Sequence, residues 1–248
     1  MLRRGLGVLM RRVPILVVNF KAYDTAIGSK ALGIGRAAEK VYKELYGSVQ
    51  VIVAPPFTEL RALAESLEIP VFAQHADPFE LGARTGSIPP EAIKEAGAKG
   101  FIANHSERKL RLDEVLFLVK KARALGLSTL ICAAEPEEAA AISILDPDMI
   151  AVEPPELIGT GIAVSRAKPE VVTRSVSLIR RYNDRVILLT GAGISRAEDA
   201  EVAILLGTSG VLVSSAVMKS KEPGEVMESM AKAMAKAIEK LEASLGSF

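Results

Sequence analysis

The chain has no tryptophan, one cysteine and two histidines in 248 residues, and aromatic residues make up only 4% of it. A single thiol, Cys132, excludes an internal disulfide framework and suits a reducing interior. It sits in the apolar run Thr129-Leu-Ile-Cys-Ala, where a buried and inert core thiol is expected. Charge of one sign is also missing: Lys+Arg 31 stand against Asp+Glu 30, interspersed along the chain. No basic face for nucleic acid results, so a charged polymer is not an expected partner. Nor is there a long hydrophobic run. The longest uncharged stretch, Val202 to Met218, is interrupted by Gly207-Thr-Ser-Gly210 and reads as a helix end followed by a strand, not a membrane span. Residues 1–13 are basic with an apolar piece, Leu6 to Met10, too short for a signal-peptide core. They are expected to form a loose extension before a domain over 14–248, with a start of translation at Met10 as an alternative. A cytoplasmic location is expected.

What is present is alternation. Apolar, β-rich runs occur at Ile15–Asn19, Gln50–Ala54, Val71–Gln74, Gly100–Asn104, Ser128–Ala133, Met149–Glu153, Val186–Thr190 and Gly210–Ser214. They are almost continuously apolar, as parallel strands covered on both faces should be. Helix-period segments lie between them, among them Ala31–Tyr46, Asp113–Leu125, Pro169–Tyr182 and Ser195–Leu206. In Asp113–Leu125, Val115, Leu116, Leu118, Val119, Ala122 and Leu125 form one stripe, with Lys120, Lys121 and Arg123 directed away. Eight β-α repeats with no dividing linker predict a single-domain (β/α)8 barrel. A closing helix over Pro223 to Leu245 carries Met227, Met230 and Met234 at helical spacing, read as core packing.

In such a barrel the chemistry lies at the C-terminal ends of the strands. Glu153 ends the sixth strand, and Pro154-Pro155 stop the strand behind it, because proline removes a ladder donor and fixes φ. Asn19 and Lys21 follow the first strand, and His105 and Glu107 follow the fourth. Gly191 and Gly193 follow the seventh, leading to a helix expected from Ser195, and Ser214 and Ser215 follow the eighth. Main-chain N–H groups there suit an anion. Taken one at a time, each residue has a plainer reading as solvated surface or a structural hydrogen bonder. His75, with nothing reactive beside it, is read as structural. Five coincidences at the correct strand ends are what give the set its weight.

Three motifs, Asn19-Phe-Lys21, Asn104-His-Ser-Glu-Arg108 and Glu153-Pro-Pro-Glu-Leu-Ile-Gly-Thr-Gly161, resemble those of the triosephosphate isomerase family, and the resemblance runs from about Pro14 to the last helix. It implies interconversion of dihydroxyacetone phosphate and glyceraldehyde 3-phosphate without metal or organic cofactor. By resemblance Glu153 is the base, His105 the electrophile, Lys21 a source of positive charge and Asn19 the group orienting an enediolate. Ser106 and Glu107 support them. Main-chain N–H groups of Ile158, Gly159, Gly193, Ser214 and Ser215 would meet the phosphate under a lid formed by 154–164. His105-Ser-Glu107 is expected at a helix N-terminus. Departures from the common pattern are Pro155-Glu156 in place of Val-Trp, Ser214-Ser215 in place of Gly-Gly, Lys109 after Arg108 at a variable position, Ala216 in place of a glycine, and the N-terminal extension. Several features resemble the archaeal-type branch, whose members tend to be tetramers. A homotetramer is therefore favoured and a dimer is the minimum, with Thr85-Gly86 reaching a neighbouring subunit.

Two other readings compete. Gly191-Ala-Gly193 and the eighth-strand loop suit other phosphate-binding barrels, of the ribulose-phosphate or indole-glycerol-phosphate type, equally well. Those barrels do not need the three upstream motifs together. A non-catalytic binder of a phosphorylated metabolite has no use for a poised base such as Glu153.

Overall fold

The computed structural model describes residues 13–245. The extension expected over 1–13 falls, apart from Val13, outside the described residues. Eight parallel strands form one sheet: β1 (Ile15–Asn19), β2 (Gln50–Ala54), β3 (Phe72–Ala73), β4 (Gly100–Ala103), β5 (Ser128–Ala133), β6 (Met149–Val152), β7 (Ile187–Thr190) and β8 (Gly210–Val213). Each pairs with its neighbour in sequence, and β8 returns to β1 with Ile15 opposite Gly210. The two ends of the sheet meet through a parallel bridge between Val53 and Val71, which completes the barrel.

The helices are α1 (Gly28–Glu44), α2 (Phe57–Ser66), α3 (Pro90–Glu95), α4 (Leu112–Leu125), α5 (Pro136–Ser143), α6 (Val164–Ala167), α7 (Pro169–Tyr182), α8 (Ala197–Leu205), α9 (Ser215–Met218) and α10 (Pro223–Leu245). The alternation of each strand separates two cores. Val17, Ile52, Phe72, Ile102, Leu130, Cys132, Ala151, Leu189 and Leu212 fill the barrel interior. Leu16, Val18, Val51, Val53, Phe101, Ile131, Ile150, Leu188 and Val211 face the helices. Both faces of every strand are thus dry, which is why the strand runs read as continuous apolar sequence. Among the described residues no helix is long and apolar enough to cross a membrane.

Most differences from the expected boundaries have local causes. β3 is confined to Phe72–Ala73: Pro70 has no N–H to donate, and past Ala73 it is the Gln74 side chain that bonds to the end of β2. β4, β6 and β8 each stop one residue before the expected end, leaving Asn104, Glu153 and Ser214 just beyond the ladder. The helix expected from Ser195 begins at Ala197, because the buried Asp199 carboxylate takes the N–H groups of Ser195 and Arg196 and fixes them ahead of the first turn. In α4, Val115, Leu118, Val119 and Ala122 are buried as the stripe requires, and Gly126 ends the helix at φ 69°. Lys121 departs from its expected outward course. It is half-buried and bonds to Glu80 and Glu91.

The methionine stripe of α10 is core: Met227, Met230 and Met234 are fully buried. Met230→Ala should therefore destabilise the protein by about 2–5 kcal/mol, with the wild-type site retained. Urea unfolding checks this; a change within ±0.5 kcal/mol would place the side chain at the surface.

Candidate active site

The barrel's C-terminal mouth holds a small cavity of about 40 Å³. Asn19, Lys21, His105, Glu153, Ile158, Gly159, Gly193, Ser214 and Ser215 all line it, so the residues expected from five separate segments converge on one place. Tyr23, Ala192, Ile194, Leu212 and Val213 complete the wall and carried no signal of their own in the sequence.

Glu153 is delivered by β6. Its N–H still donates to Ala133 O at 2.8 Å, so the backbone stays in the ladder's line for one residue more while the side chain turns inward. The residue is only 7% exposed, and Oε2 has no hydrogen-bond partner in the protein. The nearest cation-capable atom is His105 Nε2 at 3.7 Å. The Cys132 thiol lies behind the Glu153 carboxylate in the barrel interior. Burial first, then the neighbouring Glu153 charge and a hydrogen bond with it, push that thiol well above the usual range, so it stays protonated and inert, as its sequence context suggested.

Room for the carboxylate comes from Gly191. A Cβ there would stand 2.3 Å from Glu153 Oε1 and 2.8 Å from Cδ. Gly193 serves the lid in the same way, since a Cβ would meet Ile162 O at 1.9 Å. The two glycines of Gly191-Ala-Gly193 therefore have different tasks.

His105 follows β4. Its Nδ1 accepts from the Glu107 N–H at 3.1 Å, which leaves Nε2 to carry the proton of the neutral ring and to face Glu153. The sequence placed this segment at a helix N-terminus. In the structure α4 does not begin until Leu112, and the donor belongs to a turn closed by Arg108 N–H to His105 O at 2.8 Å. Asn104, at φ 58°, turns the chain: its Nδ2 donates to Cys132 O and Glu138 Oε1, and its Oδ1 accepts from the Leu110 N–H. Glu138 is half-buried. Burial pushes its carboxyl up, but bonds from Lys109, the Ala134 N–H and Asn104 outweigh that and hold it below the usual range.

Lys21 lies two residues past β1 with φ 48°. Its side chain is 16% exposed, and Nζ bonds Glu107 Oε1 at 2.9 Å. Asn19 Oδ1 accepts the Lys21 N–H at 3.0 Å, leaving the Asn19 amide protons free to donate. Glu107 and Arg108 do not pair with each other. Glu107 serves Lys21, and Arg108 bonds Asp77 Oδ1 at 2.8 Å. His75 is structural, as read from the sequence: its Nε2 meets the same Asp77 oxygen at 3.0 Å, and burial pushes the ring's pKa down.

Opposite these groups are main-chain donors. The N–H groups of Gly159, Gly193, Ser214 and Ser215 border the cavity without a backbone partner. Ile158 also borders it, but its N–H donates to Pro155 O at 3.2 Å within the turn Pro155–Leu157. Consecutive prolines set the turn that engages this N–H. Leu157 and Val164 of the segment 154–164 form an apolar cluster with Val172 and Ala192. The Val164 N–H donates to Ala192 O at 3.1 Å, and Glu156 pairs with Lys168 across the lid's two ends. Among the described residues no group of carboxylate, thiol or imidazole side chains could hold a metal ion.

Fold and site together define an isomerase-type (β/α)8 barrel enzyme, with a carboxylate, a neutral imidazole and an ammonium group at the mouth. The family model described as triosephosphate isomerase matches residues 14–234, and the chain belongs to that family. Similar proteins named triosephosphate isomerase include those of Caldivirga maquilingensis (52% identical, over 85% of this chain and 93% of the relative), Saccharolobus solfataricus (47%, over 87% and 93%) and Pyrobaculum arsenaticum (48%, over 91% and 100%).

Because Gly191 makes space for the Glu153 carboxylate, Gly191→Ala should lower kcat about 100-fold while the fold is retained, since a displacement near 1 Å suffices for such a loss. Steady-state kinetics with circular dichroism check this. Unchanged kcat would mean Glu153 acts from another position.

Proposed function

We propose that the chain interconverts dihydroxyacetone phosphate and glyceraldehyde 3-phosphate, by a one-base proton transfer through an enediolate. The observation that carries this reading is Glu153: buried, uncommitted at Oε2, and 3.7 Å from the imidazole that would hold the substrate oxygens. Removing a proton beside a carbonyl places negative charge on oxygen, and donors already aimed at that oxygen lower the barrier. Glu153 takes the proton from one carbon and returns it to the next. His105 Nε2–H donates to the two oxygens in turn, the Asn19 amide orients them, and Lys21 supplies the positive charge. Ser106 and Glu107 support the set, Glu107 through Lys21 and through the N–H that selects the ring tautomer. The phosphate is held by the N–H groups of Gly159, Gly193, Ser214 and Ser215. The lid, when down, keeps water from the intermediate. No metal or organic cofactor takes part, and the enzyme serves glycolysis and gluconeogenesis in the cytoplasm.

The active form is a homo-oligomer, a dimer at least and a tetramer by preference. After β3 the chain runs through an exposed loop to α3, with Leu81 66% exposed and Gly86 at φ 82°. A loop of that length with an apolar residue in solvent suits a neighbouring subunit. Thr85-Gly86 would lie beside that subunit's Asn19 and Lys21.

Two measurements test these assignments. Glu153→Asp withdraws the carboxylate by one methylene, so kcat should fall about 100-fold or more while affinity for a phosphate-bearing inhibitor is nearly unchanged. Near wild-type turnover would remove Glu153 from the mechanism. Light scattering coupled to activity should find no fully active monomer on dilution; a monomer of full specific activity would end the assembly reading.

A further inference from the structure

Lys21 is bonded at its backbone as well as at its tip. Its N–H goes to Asn19 Oδ1 and its Nζ to Glu107. The remaining group, its carbonyl, accepts from Gln74 Nε2 at 2.9 Å. The same nitrogen donates to Ala54 O, also at 2.9 Å, and Ala54 O is already the acceptor of the Phe20 N–H. Both targets are carbonyl oxygens, so the NH2 face of the Gln74 amide must point at them. Its two protons span the end of β2 and the carbonyl of Lys21.

That carbonyl belongs to a residue in a costly conformation. A non-glycine residue at φ 48° pushes Cβ toward the following carbonyl and persists only where its surroundings over-determine it. Relaxing φ to a negative value would swing the Cα–Cβ bond and carry the ammonium group out of the mouth. Asn19 and Glu107 hold the two ends of the residue, but neither ties its carbonyl to a rigid element. Gln74 does, because its second bond is to Ala54, in register with Asn19 at the end of the ladder.

We propose that Gln74 is a positioning residue for the isomerisation: its side-chain amide, bridging Ala54 O and Lys21 O, holds Lys21 in the left-handed conformation that aims its ammonium group into the cavity. This rests on the role given to Lys21. Gln74 itself touches no substrate and does not line the cavity.

A double-mutant cycle tests it. Gln74→Met keeps the length and loses both donors. It should lower kcat/KM about tenfold, with KM raised and kcat reduced together, as for a group that serves both binding and the transition state. In a Lys21→Met background, where there is no ammonium group to aim, the same substitution should change kcat/KM less than about twofold. Equal losses in both backgrounds would make Gln74 merely structural, and an unchanged kcat/KM in the first would remove it from the reaction. Lys21→Met without effect on kcat/KM would instead overturn the role of Lys21, a separate failure. Circular dichroism reports folding; if Gln74→Met does not fold, Gln74→Glu, which stays polar and equally long but loses both N–H donors, enters the same cycle with the same expectations.

Discussion

The site depends on the backbone turning left-handed just past the strands. Four non-glycine residues among those described have positive φ: Lys21, Asn104, Asp146 and Ala192. Three of them stand one or two residues beyond β1, β4 and β7, at the mouth. Such a conformation costs about 1–2 kcal/mol for a residue with a Cβ. It is held by bonds from elsewhere in the barrel: Gln74 to Lys21 O, and Asn104 to Cys132 O, Glu138 and the Leu110 N–H. A strand that simply continued would direct its next side chains along the barrel wall. The left-handed turn bends the chain over the mouth, so loops from opposite sides of the ring meet around one small cavity.

The reactive groups gain their character from this enclosure. Gly191 makes room beside Glu153 Oε1, Oε2 has no hydrogen-bond partner, and the barrel interior behind the carboxylate is apolar, closed by the protonated Cys132 thiol. His105 is held in one tautomer by a single turn N–H, and Lys21 is balanced by Glu107 so that an isolated cation is not left half-buried. Charges on one side of the cavity face main-chain N–H groups on the other. The segment 154–164 is braced by an apolar cluster and by the Val164 bond to Ala192 O. Glu156, near the start of the segment 154–164, pairs with Lys168, four residues beyond its end.

Much of this was legible in the chain. The eight strand runs could be read because both faces of each strand are buried, and Ile15–Asn19, Gln50–Ala54 and Ser128–Ala133 match residue for residue. Glu153 and Lys21 stood out because prolines and strand ends mark their places. The supporting residues were not legible. Glu138, Asp77 and Gln74 each lie in ordinary sequence, and each matters through partners distant along the chain, as Gln74 does through Lys21, 53 positions away. Helix starts were misplaced where side chains competed for them: Asp199 delays α8, and a turn precedes α4 where a helix end was expected to face His105. The resemblance gave the Ile158 N–H to the phosphate, and it carried no information about the single turn Pro155–Leu157 in which that N–H is bonded.

One carboxylate, Glu153, is proposed to move the proton. Turnover of dihydroxyacetone phosphate in D2O, with the product trapped and read by NMR, tests this most directly. A proton resting on a carboxylate can exchange before it is returned, so part of the glyceraldehyde 3-phosphate should carry deuterium at C2. With Glu153→Gln that labelling should fall to the rate in buffer alone. Undiminished labelling from Glu153→Gln would mean that a different base moves the proton, which contradicts this assignment.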